Sequence, residues 1–163
     1  MEIRAARPED LAALPAVELS AARAFRGLDV PERVFEEFAP AAAWSARQAA
    51  GTLWVAASVE GIQAFLAATA RSERLHIDEF AVAQEHQGRG IGRRMLERVI
   101  VEARAAGFAR ISLTTFRNVP FNAPFYASLG FSVWSPAPPD IESALADEAA
   151  RGLKERCAML LDL

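Results

Sequence analysis

The sequence predicts an α/β fold, a mixed β-sheet of about six to seven strands flanked by helices. Three features carry that expectation. Apolar residues alternate at a period of two in short segments and recur at spacings of three and four in longer ones. Two successive apolar runs, "TLWVAASV" and "IQAFLAATA", flank the turn signal Glu60-Gly61 and read as an antiparallel hairpin. Residues 75–115 read strand, helix, strand, a parallel crossover that is nearly always right-handed.

Taken in order, "MEIRAA" reads as a short strand. A helix follows, started by Pro8 with Glu9 and Asp10 in its first turn and stopped by Gly27. A second helix is expected over Glu32 to Ala49, broken or kinked at Pro40. The hairpin comes next, then the strand "LHIDEFAV". Strict alternation puts Leu75, Ile77, Glu79 and Ala81 on one face of it and His76, Asp78, Phe80 and Val82 on the other. From Gly90 to Ala106 an apolar stripe of Ile91, Met95, Leu96, Val99 and Ala103 predicts an amphipathic helix ending at Gly107. "ARISLTT" is a strand, "NAPFYASLG" a short helix, "FSVW" a strand, "IESALADEAARG" a helix and "RCAMLLDL" a final strand. No repeat or linker interrupts this order, so residues 1–163 are expected to form a single domain.

Composition narrows the function. Hydrophobic residues make up 52% of the chain, enough for a real core. The net charge of −3 argues against general nucleic-acid binding, which needs a strongly basic face. The single cysteine, Cys157, excludes a disulfide framework and fits a reducing compartment; it reads as a core residue of the last strand. No apolar run is long enough to span a membrane, and the N-terminus lacks the features of a signal peptide. The expectation is a soluble, cytoplasmic protein. His76 and His86 have no metal-ligand spacing with Cys157, so no metal is expected.

The informative stretch is "QEHQGRGIGRRM", residues 84–95. A loop between a strand and a helix leaves the first backbone N–H groups of the helix unpaired, and the helix dipole favours an anion there. Gly88, Gly90 and Gly92 let a ligand approach the main chain, and Arg89, Arg93 and Arg94 add positive charge. The combination suits a pyrophosphate. The dinucleotide pattern GxGxxG fails because Arg93 stands where its third glycine belongs, and no GxxxxGK[ST] is present. NAD and ATP are therefore disfavoured.

What remains is Q/R-x-x-G-x-G/A, here Gln87-Gly88-Arg89-Gly90-Ile91-Gly92. "HQGRGIG" resembles the acetyl-CoA loop of the GNAT superfamily of N-acetyltransferases. "EFAV" before it looks like that family's fourth strand, and "NAPFYASLGF" after it looks like the family's Y-x-x-x-G-F segment. The resemblance covers residues 75–134 closely and the rest by order of elements. It implies a GNAT-like fold whose fourth and fifth strands splay apart, with the pantetheine arm of acetyl-CoA in the gap. The backbone of Ala81, Val82 and Ala83 would bond that arm. Gln87, Gly88, Arg89, Gly90, Ile91, Gly92 and Arg93 would cradle the pyrophosphate. For Arg94 and Arg98 a solvated helix face is an equal reading. Asn122 is carried as a helix cap or a contact to the cofactor.

The resemblance implies direct attack of an amine on the thioester. Tyr126, the only tyrosine, falls on the family's tyrosine position and would be the general acid toward the sulfur. A backbone N–H near Val82 would stabilise the oxygen that becomes negative. Glu79 is the candidate general base, with Asp78 the runner-up and a chain of waters the remaining alternative. The acceptor is expected to be a small-molecule primary amine, its site shaped by residues 8–50 with Phe25, Phe35, Phe38 and Trp44 and by residues 135–155 with Trp134 nearby. A protein N-terminus or lysine is the rival acceptor. An acetyl-CoA sensor without turnover is a second class, and a nucleotide-binding regulator a third. The resemblance also allows a homodimer, a common habit of the family, although no residue pattern indicates one.

Overall fold

The hairpin turning at Glu60-Gly61 is the seed of a seven-stranded sheet in the computed structural model, which describes residues 1–163. The strands are β1 (Glu2–Ala5), β2 (Leu53–Ser58), β3 (Gly61–Arg71), β4 (Arg74–Val82), β5 (Arg110–Phe116), β6 (Ser132–Val133) and β7 (Arg156–Asp162). Their order across the sheet is β1-β2-β3-β4-β5-β7-β6. Every neighbouring pair is antiparallel except β4 and β5, which are parallel. The mixed sheet expected from the sequence is therefore present, with all its strands in the expected chain order.

The helices are α1 (Leu14–Ala22), α2 (Ser45–Ala49), α3 (Ile91–Ala105), α4 (Ala123–Ala127) and α5 (Pro139–Ala150). They cover both faces. The α3 stripe of Ile91, Met95, Leu96, Val99 and Ala103 is buried with Leu66, Leu75, Ile111 and Leu113 on one side. Leu14, Val17 and Trp44 are buried with Leu53, Val55 and Phe65 on the other.

Two helical expectations are corrected. The first helix is a 3-10 segment over Pro8–Ala13, then α1, then a 3-10 turn over Arg23–Phe25. Pro15 stands in the first turn of α1, where it cannot donate to a turn running in from residue 11. The second helix reduces to 3-10 segments at Glu32–Phe35 and Ala41–Trp44 followed by the short α2. Pro40 is the break, with an extended backbone at ψ 152°.

Asp10 ties the first segment to β1. Its carboxylate accepts from Arg4 Nη1 at 2.6 Å, from Arg4 Nη2 at 3.1 Å and from the Arg7 N–H at 2.7 Å. The hydrogen bonds from Arg4 hold this buried carboxyl below the usual carboxylate range. Asp10→Ala is expected to cost about 2–4 kcal/mol in urea unfolding at pH 7, because it leaves a largely enclosed arginine with only the exposed Glu2, at 3.7 Å, and the Ala5 carbonyl as partners. A depressed carboxyl confers stability above its unfolded pKa, so the difference between the two proteins should shrink as the pH falls below about 4.

The β4 strand departs from strict alternation. Ala67 of β3 pairs with Glu79, but Ala68 pairs with Ile77, so Asp78 is an extra residue on β4. The bulge swaps the faces beyond it. Phe80 and Val82 join Leu75 and Ile77 on the α3 side, while Ala81 and Ala83 pack on the α1 side. The expectation that Glu79 and Ala81 share a face with Leu75 and Ile77 is overturned by this one inserted residue.

Candidate active site

β4 and β5 pair only at Arg74↔Arg110, Leu75↔Ile111 and His76↔Ser112. Beyond that point β4 runs on to Val82 and β5 to Phe116 without pairing, so the two strands splay as expected. His76 Nδ1 and Ser112 Oγ, both buried, are hydrogen-bonded at 2.9 Å across the last joined pair. They close the apex of the gap.

Two cavities open from the gap. One, of about 350 Å³, lies between the end of β4, the glycine loop and α4. The other, of about 490 Å³, lies on the α1 side between β4, β5 and the segments 33–39 and 151–156. Ala21, Phe25, Phe80, Asn122 and Tyr126 border both, so the cavities meet there.

The loop cavity is lined by main chain with few donors already spent. From Gly88 to Arg93 no backbone N–H donates to a backbone carbonyl; the first that does is Arg94, to Gly90 at 3.1 Å. Gly88 and Gly90 sit at φ +71° and +75°, left-handed backbone that glycine adopts at little steric cost. Gly92 has ordinary helical backbone. A Cβ there would lie 3.7 Å from Phe80, Val82 and Phe125, inside the cavity's narrow wall. Unpaired amides at the N-terminal end of α3 are an arrangement that can receive an anion. Gln87, Gly88, Gly90, Ile91, Gly92 and Arg93 line the cavity, and Arg93 also donates to Ser128 Oγ at 2.7 Å. Arg89 is exposed beside the loop rather than in its wall.

The free edge of β4 is narrower than expected. Ala83 donates its N–H to Gln63 O of β3 at 2.9 Å. Main-chain groups alternate along a strand, so Ala81 also points to β3, and only Phe80 and Val82 point into the gap. The Val82 carbonyl accepts from Gln87 Nε2 at 2.8 Å, which leaves its N–H as the available donor. The Phe80 N–H donates to Glu79 Oε1 at 3.1 Å.

Glu79 lines the α1-side cavity, half-buried. Burial pushes its carboxyl up to about 7, and the nearby charge of Glu18 adds to the effect. Asp78 is differently placed. It accepts from Thr69 Oγ1 at 2.6 Å and from Arg47 Nε at 3.1 Å, so both a hydroxyl and a cation already hold it. Tyr126 stands between the cavities, edge-on to Phe125 and Phe131 at centroid distances of 5.3 and 5.7 Å. Burial, then the charge of Glu79, pushes its hydroxyl above the usual tyrosine range, so it stays protonated at neutral pH. Asn122 precedes α4 without capping it; its Oδ1 accepts from Thr115 Oγ1 at 3.1 Å. Cys157 is buried in the core behind β5.

Several functional candidates lay outside the sequence reading. Glu18 is the lone carboxylate of α1, and its Oε2 accepts the Ala39 N–H at 3.1 Å. Burial raises this carboxyl too. Its sequence signal is a single acid in the apolar run "LPAVELSAA". Arg33, Arg151 and Arg156 also line the α1-side cavity. Of the aromatics expected at the acceptor site, Phe25 and Phe38 line it, whereas Trp44 is buried against Phe65 and Trp134 lies elsewhere, beneath Arg74 at 5.3 Å.

The chain matches the model of the acetyltransferase (GNAT) family over residues 17–131. Its structure resembles the PaiA N-acetyltransferase of Thermoplasma acidophilum in complex with coenzyme A, at 16% identity and a TM-score of 0.76, covering 99% of this chain and 98% of that one. It also resembles the ribosomal-protein-S18-alanine N-acetyltransferase of Escherichia coli, at 19% identity and a TM-score of 0.71, covering 99% and 92%. At such identities the likeness is one of fold. A segment is 40% identical over 62 residues to N-alpha-acetyltransferase 80 of Mus musculus; it makes up 38% of this chain but only 18% of that curated relative.

Proposed function

The chain belongs to the acetyltransferase (GNAT) family, and from that premise we propose that it moves the acetyl group of acetyl-CoA directly onto the primary amine of a small molecule. The family makes it an acyltransferase; the donor, the acceptor and the residue roles are our reading. Residues 1–163 act in it as one catalytic domain built on one sheet.

The observation that carries the reading is the strip of unpaired amides from Gly88 to Arg93, which opens into a cavity that joins a second one at Tyr126. Acetyl-CoA supplies an activated acyl group when bound. The amides of Gly88 to Arg93 hold its pyrophosphate, and Arg93 adds charge. The free edge of β4 between Phe80 and Val82 receives the pantetheine arm. Glu79 takes the proton of the attacking amine from the α1-side cavity. The Val82 N–H stabilises the carbonyl oxygen as the new C–N bond forms. Tyr126 gives its proton to the sulfur as the C–S bond breaks, and regains one from solvent.

A peptide N-terminal amine is a second acceptor class, favoured by the names of the Escherichia coli and mouse relatives. The α1-side cavity, about 490 Å³ and walled by segments 33–39 and 151–156, has the size for a small amine and supports the small molecule instead.

The test is release of free thiol from acetyl-CoA, with and without a panel of primary amines. Amine-dependent release is expected, with Tyr126→Phe about 10- to 100-fold slower in kcat. Acetyl-CoA binding without amine-dependent release from any member would support a sensor and reject the transferase. A Tyr126→Phe protein as fast as the wild type would remove the acid role.

A further inference from the structure

The α1-side cavity collects more charge than an amine alone requires. Glu18, Glu37, Asp78 and Glu79 line it, as do Arg33, Arg151 and Arg156. Three of these seven groups are already engaged. Asp78 is held by Arg47 and Thr69, and Glu18 accepts the Ala39 N–H. Arg156 donates to Glu148 at 2.9 Å and lies over the Phe116 ring at 4.6 Å. Glu37, exposed at the rim, forms no ion pair, and neither do Glu79, Arg33 and Arg151.

Arg33 is unusual among them. Its Nη2 is buried and has no hydrogen-bond partner. A buried guanidinium nitrogen left without an acceptor is costly, and such groups are nearly always paired. No carboxylate of the chain pairs with Arg33, so an acceptor entering the cavity that this side chain lines would meet an uncompensated guanidinium. Arg33 and Arg151 belong to one wall. Pro31 Cγ is 3.4 Å from where a Cβ on Gly152 would stand, and Lys154 Nζ pairs with Asp29 Oδ2 at 3.2 Å on the surface, so the two segments lie side by side. The opposite polarity, Glu79 and Glu18, comes from β4 and α1.

We propose that the acceptor is a primary amine that also carries a carboxylate, an amino acid or close derivative, whose carboxylate is held by Arg33 and Arg151. This rests on the transferase reading above. The two guanidinium groups set specificity; they take no part in proton transfer. A planar fork of donors suits a carboxylate. A polyamine would place a second cation against the same two arginines and be repelled.

The test compares kcat/KM, at saturating acetyl-CoA, for the standard amino acids, their carboxamides, spermidine and a tripeptide amide. The best acceptor is expected to be a free amino acid, favoured over its own carboxamide by about tenfold or more, the size of one charge-assisted hydrogen bond. In Arg33→Gln and in Arg151→Gln that ratio should fall toward one, chiefly through KM for the acid, with the affinity for acetyl-CoA unchanged as the control for folding. Should Arg33→Gln not fold, the exposed Arg151 still carries the test. Equal rates for acid and carboxamide, a preference for spermidine or the peptide, or a ratio that survives in the variants would overturn the inference and leave the transferase standing. Absence of transfer to every amine would overturn both.

Discussion

Glu79→Gln is expected to lower kcat/KM for acetyl transfer by about 100- to 1,000-fold, the usual worth of a positioned general base. The wild-type rate should rise with pH and level off above an apparent pKa near 7, since burial and Glu18 hold the Glu79 carboxyl up to about 7. Below that pH the carboxyl is protonated and cannot accept the amine's proton. The glutamine variant should lose this limb. The same group predicts an opposite effect on stability. A carboxyl whose pKa is raised by folding destabilises the fold once it ionises. That cost is absent below about pH 4 and complete above about pH 7. Glu79→Gln should therefore be more stable than the wild type at pH 8, by on the order of 2 kcal/mol, with no gain at pH 4. A slower and more stable variant would mark Glu79 as a residue kept for chemistry. A variant as active as the wild type, with an unchanged pH profile, would leave a water chain as the base.

The second large effect concerns the loop cavity. Gly92→Leu should weaken acetyl-CoA binding by about 100-fold or more while leaving the fold intact, because the side chain would occupy volume a ligand needs. The position is suited to this contrast. Gly92 has no left-handed backbone, and a Cβ meets Phe80, Val82 and Phe125 at 3.7 Å, ordinary contact. Gly92→Ala should therefore fold well and gain up to about 1 kcal/mol of helix stability, since glycine is a poor helix former. Thermal unfolding and calorimetry on the two variants separate blockage from misfolding. Equal affinity in wild type and Gly92→Leu would place the cofactor elsewhere. Substitution at Gly90 gives no such separation, because φ +75° strains any side chain there before a ligand arrives.

Much of this site was legible in local sequence. The α3 stripe and the glycines before it are short-range signals, and period and backbone freedom determine them without help from the rest of the chain. The order of the strands along the chain followed from the same periods. The bulge at Asp78 was not legible, because the extra residue is decided by how β3 pairs with β4, and nothing in "LHIDEFAV" marks it. Its consequence is large, since it turns Glu79 toward α1 and Glu18. The segments between α1 and α2 were overread as helix because prolines at 31 and 40 outweigh an alanine-rich composition. Arg33 and Arg151 gave no signal at all. They line one cavity because their segments run together where Pro31 packs on Gly152, a contact across more than a hundred residues of sequence.

The proposed function turns on the amides of Gly88 to Arg93 holding the pyrophosphate of acetyl-CoA. Calorimetry of the purified protein with acetyl-CoA, against ATP and NAD at the same concentrations, tests it most directly. Binding of acetyl-CoA at micromolar concentration, with neither nucleotide binding comparably, is the predicted result. No binding of acetyl-CoA, or ATP or NAD bound as tightly, would contradict it.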